Sequence, residues 1–331
     1  MSDIINNKIN FAIVGYGAIG HRHAALIQQI PNADLVAICD NQKVAHPDIP
    51  LYASINEMLK NHPEVDVVNV CSPNGLHATH AIEVLDAQRH VVIEKPMALS
   101  KSDCEAIIHK ALSIDKKVFC IMQNRYSPVS AWLKQVVDNQ LLGKILFVQA
   151  NCFWNRDNRY YSTNGQPHFW RGKKALDGGP LFTQFAHFID TLYWIFGDMQ
   201  IEKSNLFYND INTGVEVEDT GIVQLALKRH NATATFQYSI AAWDKNMESS
   251  VIILGSQGSI KISGQYMDTI AYCHIKDYDQ PVLTHTDAWQ NHFQAIENVA
   301  LTLQQNASIA TNAMEGMKVV EIIENIYHQA V

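Results

Sequence analysis

The chain has 331 residues, 47% hydrophobic and 18% charged, a balance that suits a folded protein with room for two domains. A net charge of −8 without a basic cluster argues against nucleic acid as a partner. No apolar run approaches the roughly 18 residues that span a bilayer, and the polar start, Met1-Ser2-Asp3-Ile4-Ile5-Asn6-Asn7-Lys8, does not read as a signal peptide. Six cysteines are scattered without a Cys-x-x-Cys pair and read as reduced thiols of a cytoplasmic protein.

Taken in order, residues 9–14 are apolar and β-branched and run into Gly15, Gly17 and Gly20; Ala24, Ala25, Leu26 and Ile27 follow at helical density. This predicts a buried strand, a tight turn and the first turn of a helix. Gly15 permits the turn, Gly17 lets a pyrophosphate approach the backbone, and Gly20 lets helix and strand pack closely. The free N–H groups of the helix start suit a diphosphate. A second apolar run, 35–39, ends at Asp40, where an acid holds the adenosine ribose hydroxyls and repels a 2′-phosphate. NAD is therefore expected over NADP. Asn41 and Gln42 add no positive charge, and Lys43 is the one residue against this reading. His21, Arg22 and His23 read as facing solvent or phosphate.

Strands at 65–70, 90–93 and 118–122 alternate with helices at 76–87 and 101–113, which implies parallel β-α-β units and a doubly wound sheet. A helix follows at 128–137, and the rhythm then changes. Short sequential strands at 145–150, 219–228, 232–240, 249–254, 258–263 and 268–275 fit an antiparallel sheet, and helices at 288–304 and 313–329 close the chain. The expected domains are 1–123, binding a dinucleotide, and 124–331, binding substrate. Apolar and aromatic residues in 232–238 and 251–254 are expected to make the uncovered sheet face sticky, which implies self-association.

Three clusters end strands of the first domain: Cys71-Ser72-Pro73-Asn74, Glu94-Lys95-Pro96 and Gln123-Asn124-Arg125-Tyr126. Ligands of open α/β sheets bind beyond such strand ends. A fourth cluster, 177–190, reads as a glycine turn opening a helix with Thr183, His187 and Asp190 at i, i+4 and i+7 on one face. Asp190 reads as a supporting residue. The aromatics and arginines of 154–161 suit either a solvated loop or a sugar carrying phosphates. His77 and His80 lack a third ligand nearby, so no metal site is expected.

The glycine-rich start, the Glu-Lys-Pro at 94–96 and the Gly-Gly…His-x-x-Asp at 178–190 resemble the Gfo/Idh/MocA oxidoreductases over nearly the whole chain. The resemblance implies an α/β protein. An N-terminal Rossmann domain with a doubly wound parallel sheet precedes a C-terminal α/β domain on a large open, mostly antiparallel sheet that often mediates oligomerisation. The activity implied is hydride transfer between NAD and a carbinol carbon of a sugar, with a homodimer or homotetramer as the assembly. Lys95 and His187 match the family's catalytic lysine and histidine, and a lysine or neutral imidazole can accept the carbinol proton. Carried over, the cofactor set is Gly15, Tyr16, Gly17, Ala18, Ile19, Gly20, Asp40, Asn41, Cys71, Ser72, Pro73, Asn74, His77, Glu94, Lys95 and Gln123. The substrate set is Lys95, Arg125, Tyr126, Trp154, Arg171, Thr183 and His187. Thr183 stands where many members carry an aspartate, which shifts weight from His187 to Lys95 as the base. The motifs at 123–126, 154–156 and 170–172 are similar to UDP-N-acetylglucosamine 3-dehydrogenase-like members, so a nucleotide-linked sugar is the expected substrate. A free sugar or inositol dehydrogenase, an NAD-dependent glycosidase and a non-catalytic NAD-binding regulator are the alternatives.

Overall fold

The computed structural model describes residues 8–42, 48–212 and 214–330. The N-terminal residues 1–7 and Lys43, on which two of the readings above fall, lie outside the described residues. The chain groups into two compact units, one of Met1–Met122 with His292–Val320, the other of Gln123–Asn291 with Glu321–Val331. Among the described residues, no helix is long and apolar enough to cross a membrane.

In the first unit, β1 (Ile9–Val14), α1 (Ala18–Ile27), β2 (Ala33–Cys39), β3 (Leu51–Tyr52), α2 (Ile55–Asn61), β4 (Val67–Val70), α3 (His77–Asp86), β5 (His90–Ile93), α4 (Lys101–Ser113) and β6 (Val118–Cys120) follow one another. The six strands form a parallel sheet in the order β3-β2-β1-β4-β5-β6. Phe11, Ala12, Ile13, Val67, Val68 and Val70 are fully buried, as expected of central strands covered on both faces. Side-chain caps start two of the helices: Ser54 accepts the Glu57 N–H and Ser100 the Asp103 N–H.

The second unit begins with α5 (Pro128–Asp138), β7 (Ile145–Phe153), α6 (Asn158–Tyr161), β8 (Ser162–Thr163), β9 (Gln166–Pro167), α7 (Lys174–Asp177), α8 (Pro180–Thr183) and α9 (Ala186–Phe196). It continues with β10 (Met199–Phe207), β11 (Thr220–Leu227), β12 (Ala232–Ser239), β13 (Glu248–Gly255), β14 (Gly258–Ser263) and β15 (Thr269–Ile275). The helices α10 (Ala288–Gln305) and α11 (Ala313–His328) close the chain. Seven strands form a mixed, mostly antiparallel sheet in the order β10-β11-β12-β7-β13-β14-β15. The strands are not paired in simple succession, because β7 lies between β12 and β13 and runs parallel to β12.

Two expectations change here. The boundaries 1–123 and 124–331 assign both closing helices to the second domain, yet His292–Val320 groups with the first unit. The edge strand β6 supplies the reason: Cys120 N–H donates to the Thr311 carbonyl, and Phe119 and Asn312 form an antiparallel bridge, so the returning chain caps exposed ladder groups. The sticky-face expectation also changes. Ala234, Phe236, Tyr238, Val251 and Ile253 point to the covered side and are buried, because strand side chains alternate. The other face carries Thr233, Thr235, Gln237 and Gln224, with Phe207, Ile222, Leu254 and Tyr272 exposed among them, so an apolar component of that face remains.

On the covered side, Phe185 packs edge-on against Trp154 and Phe236, with ring centroids 5.3 and 6.3 Å apart. Two charged groups are sealed into this unit. Asp190, fully buried in α9, receives the Arg125 guanidinium through Nε at 2.9 Å and Nη2 at 2.6 Å. Glu218, 1% exposed, accepts the hydroxyls of Tyr238 at 2.8 Å and Tyr327 at 2.7 Å on the same oxygen.

Burial pushes the Glu218 carboxyl up to about 7 from 4.5. Between those two values the folded chain binds a proton that the unfolded chain has released, so the group costs stability as pH rises through this window, up to about 3 kcal/mol above it. Glu218→Gln retains the acceptor for both tyrosines and removes the titration. Thermal melts from pH 4 to 8 should therefore show the variant gaining on the parent chain as pH rises. A melting-temperature difference independent of pH would mean that Glu218 titrates normally.

Candidate active site

The glycine turn of the first unit is shaped as the sequence requires. Gly15 has φ +88, and a Cβ there would stand 2.7 Å from the Ser72 nitrogen. On Gly20 a Cβ would stand 2.2 Å from the Gly15 carbonyl oxygen. A Cβ on Gly17, by contrast, would meet nothing within 4 Å, so the backbone at the start of α1 is open to a ligand. Asp40 is turned onto that start: one carboxylate oxygen accepts the Tyr16 N–H at 2.6 Å and the other the Gln42 N–H at 2.7 Å. Tyr16 belongs to this turn, Ala18 and Ile19 begin α1, and Asn41 is exposed beside Asp40.

Cys71, Ser72 and Pro73 leave the end of β4 and lead into a 3-10 turn at Asn74–Leu76. His77 is buried, with Nδ1 2.7 Å from the Pro96 carbonyl and Nε2 2.8 Å from the Ser72 carbonyl. Both ring nitrogens are thus engaged inside the protein, and His77 ties together the loops that follow β4 and β5. His80 is engaged too, through Nδ1 on the Ser72 hydroxyl at 2.9 Å.

Lys95 is half-buried just past β5. Glu94, expected at the cofactor, is buried and turned inward: one oxygen accepts the Lys95 N–H at 3.0 Å, and the other faces His23 Nε2 at 3.0 Å and His292 Nε2 at 3.2 Å. His23 therefore does not face solvent or phosphate. It falls three residues after Gly20, on the stripe with Leu26 and Ile27 that α1 buries, a signal the sequence does contain. Nothing local in the sequence marks His292.

In the second unit, Gln123, Asn124, Arg125 and Tyr126 form a 3-10 turn. Arg125, expected at the substrate, is engaged by Asp190, and separating such a buried pair costs about 3–5 kcal/mol. The Gln123 side-chain Oε1 and the Tyr126 hydroxyl are buried without a hydrogen-bond partner among the described residues, the kind of group a ligand satisfies. The expected single helix carrying Thr183, His187 and Asp190 is broken: Thr183 ends α8, and α9 starts at Ala186. The Thr183 hydroxyl is turned onto Asp177, donating to its carbonyl at 3.0 Å and to its carboxylate. His187 is buried in the first turn of α9.

Trp154 is buried in the aromatic core, with its indole N–H on the Ser249 hydroxyl at 2.7 Å. The arginines near it sort by partner. Arg159 is exposed and paired with Asp157 and Asp244. Arg156 lies 4.9 Å from the Trp154 ring and 5.2 Å from the Tyr160 ring, and donates to the Gln184 side-chain Oε1 at 2.8 Å. Arg171 lies 4.5 Å from the Tyr160 ring and 5.6 Å from the Trp170 ring. Among the described residues, neither Arg156 nor Arg171 has a carboxylate partner, and Arg171 Nε is buried without an acceptor. Tyr160 falls within the aromatic and arginine stretch 154–161 read from sequence, whereas Gln184 was given no role there.

Family models match both units: "Oxidoreductase family, NAD-binding Rossmann fold" over residues 9–121 and "GFO/IDH/MocA C-terminal domain" over residues 131–261. The WlbA dehydrogenase of Bordetella pertussis, solved in complex with NADH and UDP-GlcNAcA, is 29% identical with a TM-score of 0.86, covering 98% of this chain and 96% of that one. The WlbA enzyme of Chromobacterium violaceum, solved with the same ligands, is 29% identical with a TM-score of 0.88, covering 99% and 94%. D-glucoside 3-dehydrogenase of Escherichia coli is 26% identical over 212 residues, 62% of this chain and 58% of that protein. The chain thus spans a little over half the length of the curated relatives it matches. With the glycine turn, the acid after β2 and the two-unit fold in agreement, the chain belongs to the Gfo/Idh/MocA oxidoreductase family, and residues 9–121 are its NAD-binding Rossmann domain.

Proposed function

We propose that this protein is an NAD-dependent dehydrogenase acting on a carbinol carbon of an anionic, nucleotide-linked sugar. The observation that carries the choice of substrate is the pair Arg156 and Arg171, two guanidinium groups around Tyr160 without a carboxylate among the described residues. Burial lowers the Arg156 pKa from its usual value, so an anion brought to this pair would gain more than it does at an exposed arginine. The ligands of the WlbA structures, NADH and UDP-GlcNAcA, are of this class.

The residues that would hold NAD are the open backbone at Gly17 and the α1 start, for the pyrophosphate, and Asp40, for the adenosine ribose. Bound there, NAD supplies the hydride acceptor. Loss of hydride from a carbinol carbon requires its hydroxyl proton to leave, and Lys95 is the proposed acceptor. His187 is the group of the second unit proposed to meet the substrate. Thr183 is assigned to holding Asp177 rather than to proton transfer. The proposal also includes self-association as a homodimer or homotetramer, with Phe207, Ile222, Leu254 and Tyr272 as exposed apolar and aromatic residues of the open sheet face, and a cytoplasmic setting, suited to six free cysteines.

Calorimetry should find NAD bound at least about tenfold more tightly than NADP, because a 2′-phosphate meets the Asp40 carboxylate at a cost of about 1.4 kcal/mol or more. Equal affinities would remove Asp40 from ribose selection. Lys95→Ala should lower turnover of UDP-GlcNAcA by about a hundredfold to ten-thousandfold with NAD affinity nearly unchanged. Normal turnover in that variant would make the lysine a bystander. Arg171→Met and Arg156→Met should each raise KM for UDP-GlcNAcA by about 10- to 100-fold with a small effect on kcat. If neither does, and glucose or inositol is turned over instead, the substrate is a neutral sugar.

A further inference from the structure

Three polar side chains converge at the carboxyl end of β5, in the interior of the first unit. His23 from α1 and His292 from α10 are 0% and 1% exposed. Their Nε2 atoms stand 3.0 and 3.2 Å from Glu94 Oε1 and 3.0 Å from each other. Behind His23, the Asn69 side-chain amide donates to Nδ1 at 2.9 Å. That leaves Nε2 as the protonated nitrogen of His23 and aims its N–H at the carboxylate. The second oxygen of Glu94 accepts the backbone N–H of Lys95 at 3.0 Å.

Burial alone would push the Glu94 carboxyl up, but hydrogen bonds from His23 and His292 hold it well below the usual carboxylate range. Burial pushes His23 down. The carboxylate is thus ionised in the interior, where it is stable only while N–H groups surround it. Its donors come from α1, from α10 and from the backbone of Lys95, two residues past β5. Two imidazoles and a carboxylate this close also make a ligand set of the kind that holds zinc.

We propose that His23 and His292 are positioning residues, which clamp Glu94 so that its carboxylate fixes the Lys95 amide and the direction in which the Lys95 side chain leaves the sheet. A carboxylate released from the clamp has several staggered rotamers open to it, and only one of them places Oε2 on the Lys95 N–H. The kinetic consequence rests on Lys95 being the proton acceptor; the clamp itself concerns only the backbone at residue 95. A displacement of about 1 Å at a reacting group costs about a hundredfold in rate.

The test is hydrogen exchange of the full chain with NAD, read by fragmentation of peptides covering residues 94–97, where Pro96 contributes no amide. His292→Leu should raise exchange at the Lys95 amide by about tenfold or more, and lower kcat on UDP-GlcNAcA by about 10- to 100-fold, with NAD affinity unchanged. His292→Gln places an amide N–H near the position of Nε2 and should restore both. A histidine that only fills space would lower the melting temperature without a selective change at Lys95, and glutamine would not rescue it. Unchanged exchange at Lys95 in His292→Leu overturns the clamp, and so does one equivalent of zinc in the purified protein by elemental analysis. The exchange arm needs no substrate: if it responds to His292 while Lys95→Ala still turns over, the clamp stands and the catalytic role of Lys95 falls.

Discussion

The approach of α1 to the end of β1 leaves no space for a side chain, since a Cβ on Gly20 would stand 2.2 Å from the Gly15 carbonyl oxygen. Much of the first unit depends on that contact. It brings the helix start to the strand end, where the backbone at Gly17 is open and Asp40 closes on the Tyr16 N–H. It also presses the next turn of α1 onto the sheet, which carries His23 to Asn69 of β4 and to Glu94 at the end of β5. Gly17, whose backbone is open to a diphosphate, and Gly20, which sets the packing that brings His23 to Glu94, therefore belong to one turn. A side chain at position 20 would disturb both at once.

The second unit is governed by charges taken out of water. A buried carboxylate is tolerable only with donors at hydrogen-bond distance, and each one here has them. Asp190 has the Arg125 guanidinium, Glu218 has two tyrosine hydroxyls, and Asp177 has the Gly172 N–H and the Thr183 hydroxyl. This sorting decides which arginines remain for a ligand. Arg125 and Arg159 are neutralised within the protein, whereas Arg156 and Arg171 rest on aromatic faces that offer no countercharge of their own. In the function proposed above, an anionic substrate group is the partner assigned to these two residues.

Thr183 shows how a local break redirects a motif. Read as part of one helix, it shares a face with His187 and Asp190; with α8 ending at Thr183 and α9 starting at Ala186, that register no longer applies. The positive φ of Gly178 and Gly179, +83 and +113, turns the chain so that the Thr183 hydroxyl meets Asp177 instead. The residue that the family resemblance puts at the substrate has its hydroxyl on Asp177 in this structure.

Local chemistry determined a great deal by itself. Apolar strands ending at Gly15-x-Gly17-x-x-Gly20, an acid after the second of them and β-α-β alternation specify a dinucleotide-binding sheet, because each of those features acts over a few residues. The short sequential strands expected at 145–150 and at five segments between 219 and 275 were equally legible, whereas β10 (Met199–Phe207) was not. What the sequence could not decide are the pairings between distant segments. That β7 lies parallel to β12, that residues near Thr311 cap the edge of β6, and that Arg125 closes on Asp190 all depend on which long-range partner satisfies a buried polar group. His292 is the clearest case: in the sequence it is one histidine among fifteen on an amphipathic helix, and only the packing of α10 makes it a donor to the carboxylate beside Lys95. Periodicity is written along the chain, whereas the partner of a buried charge exists only once the chain has closed around it.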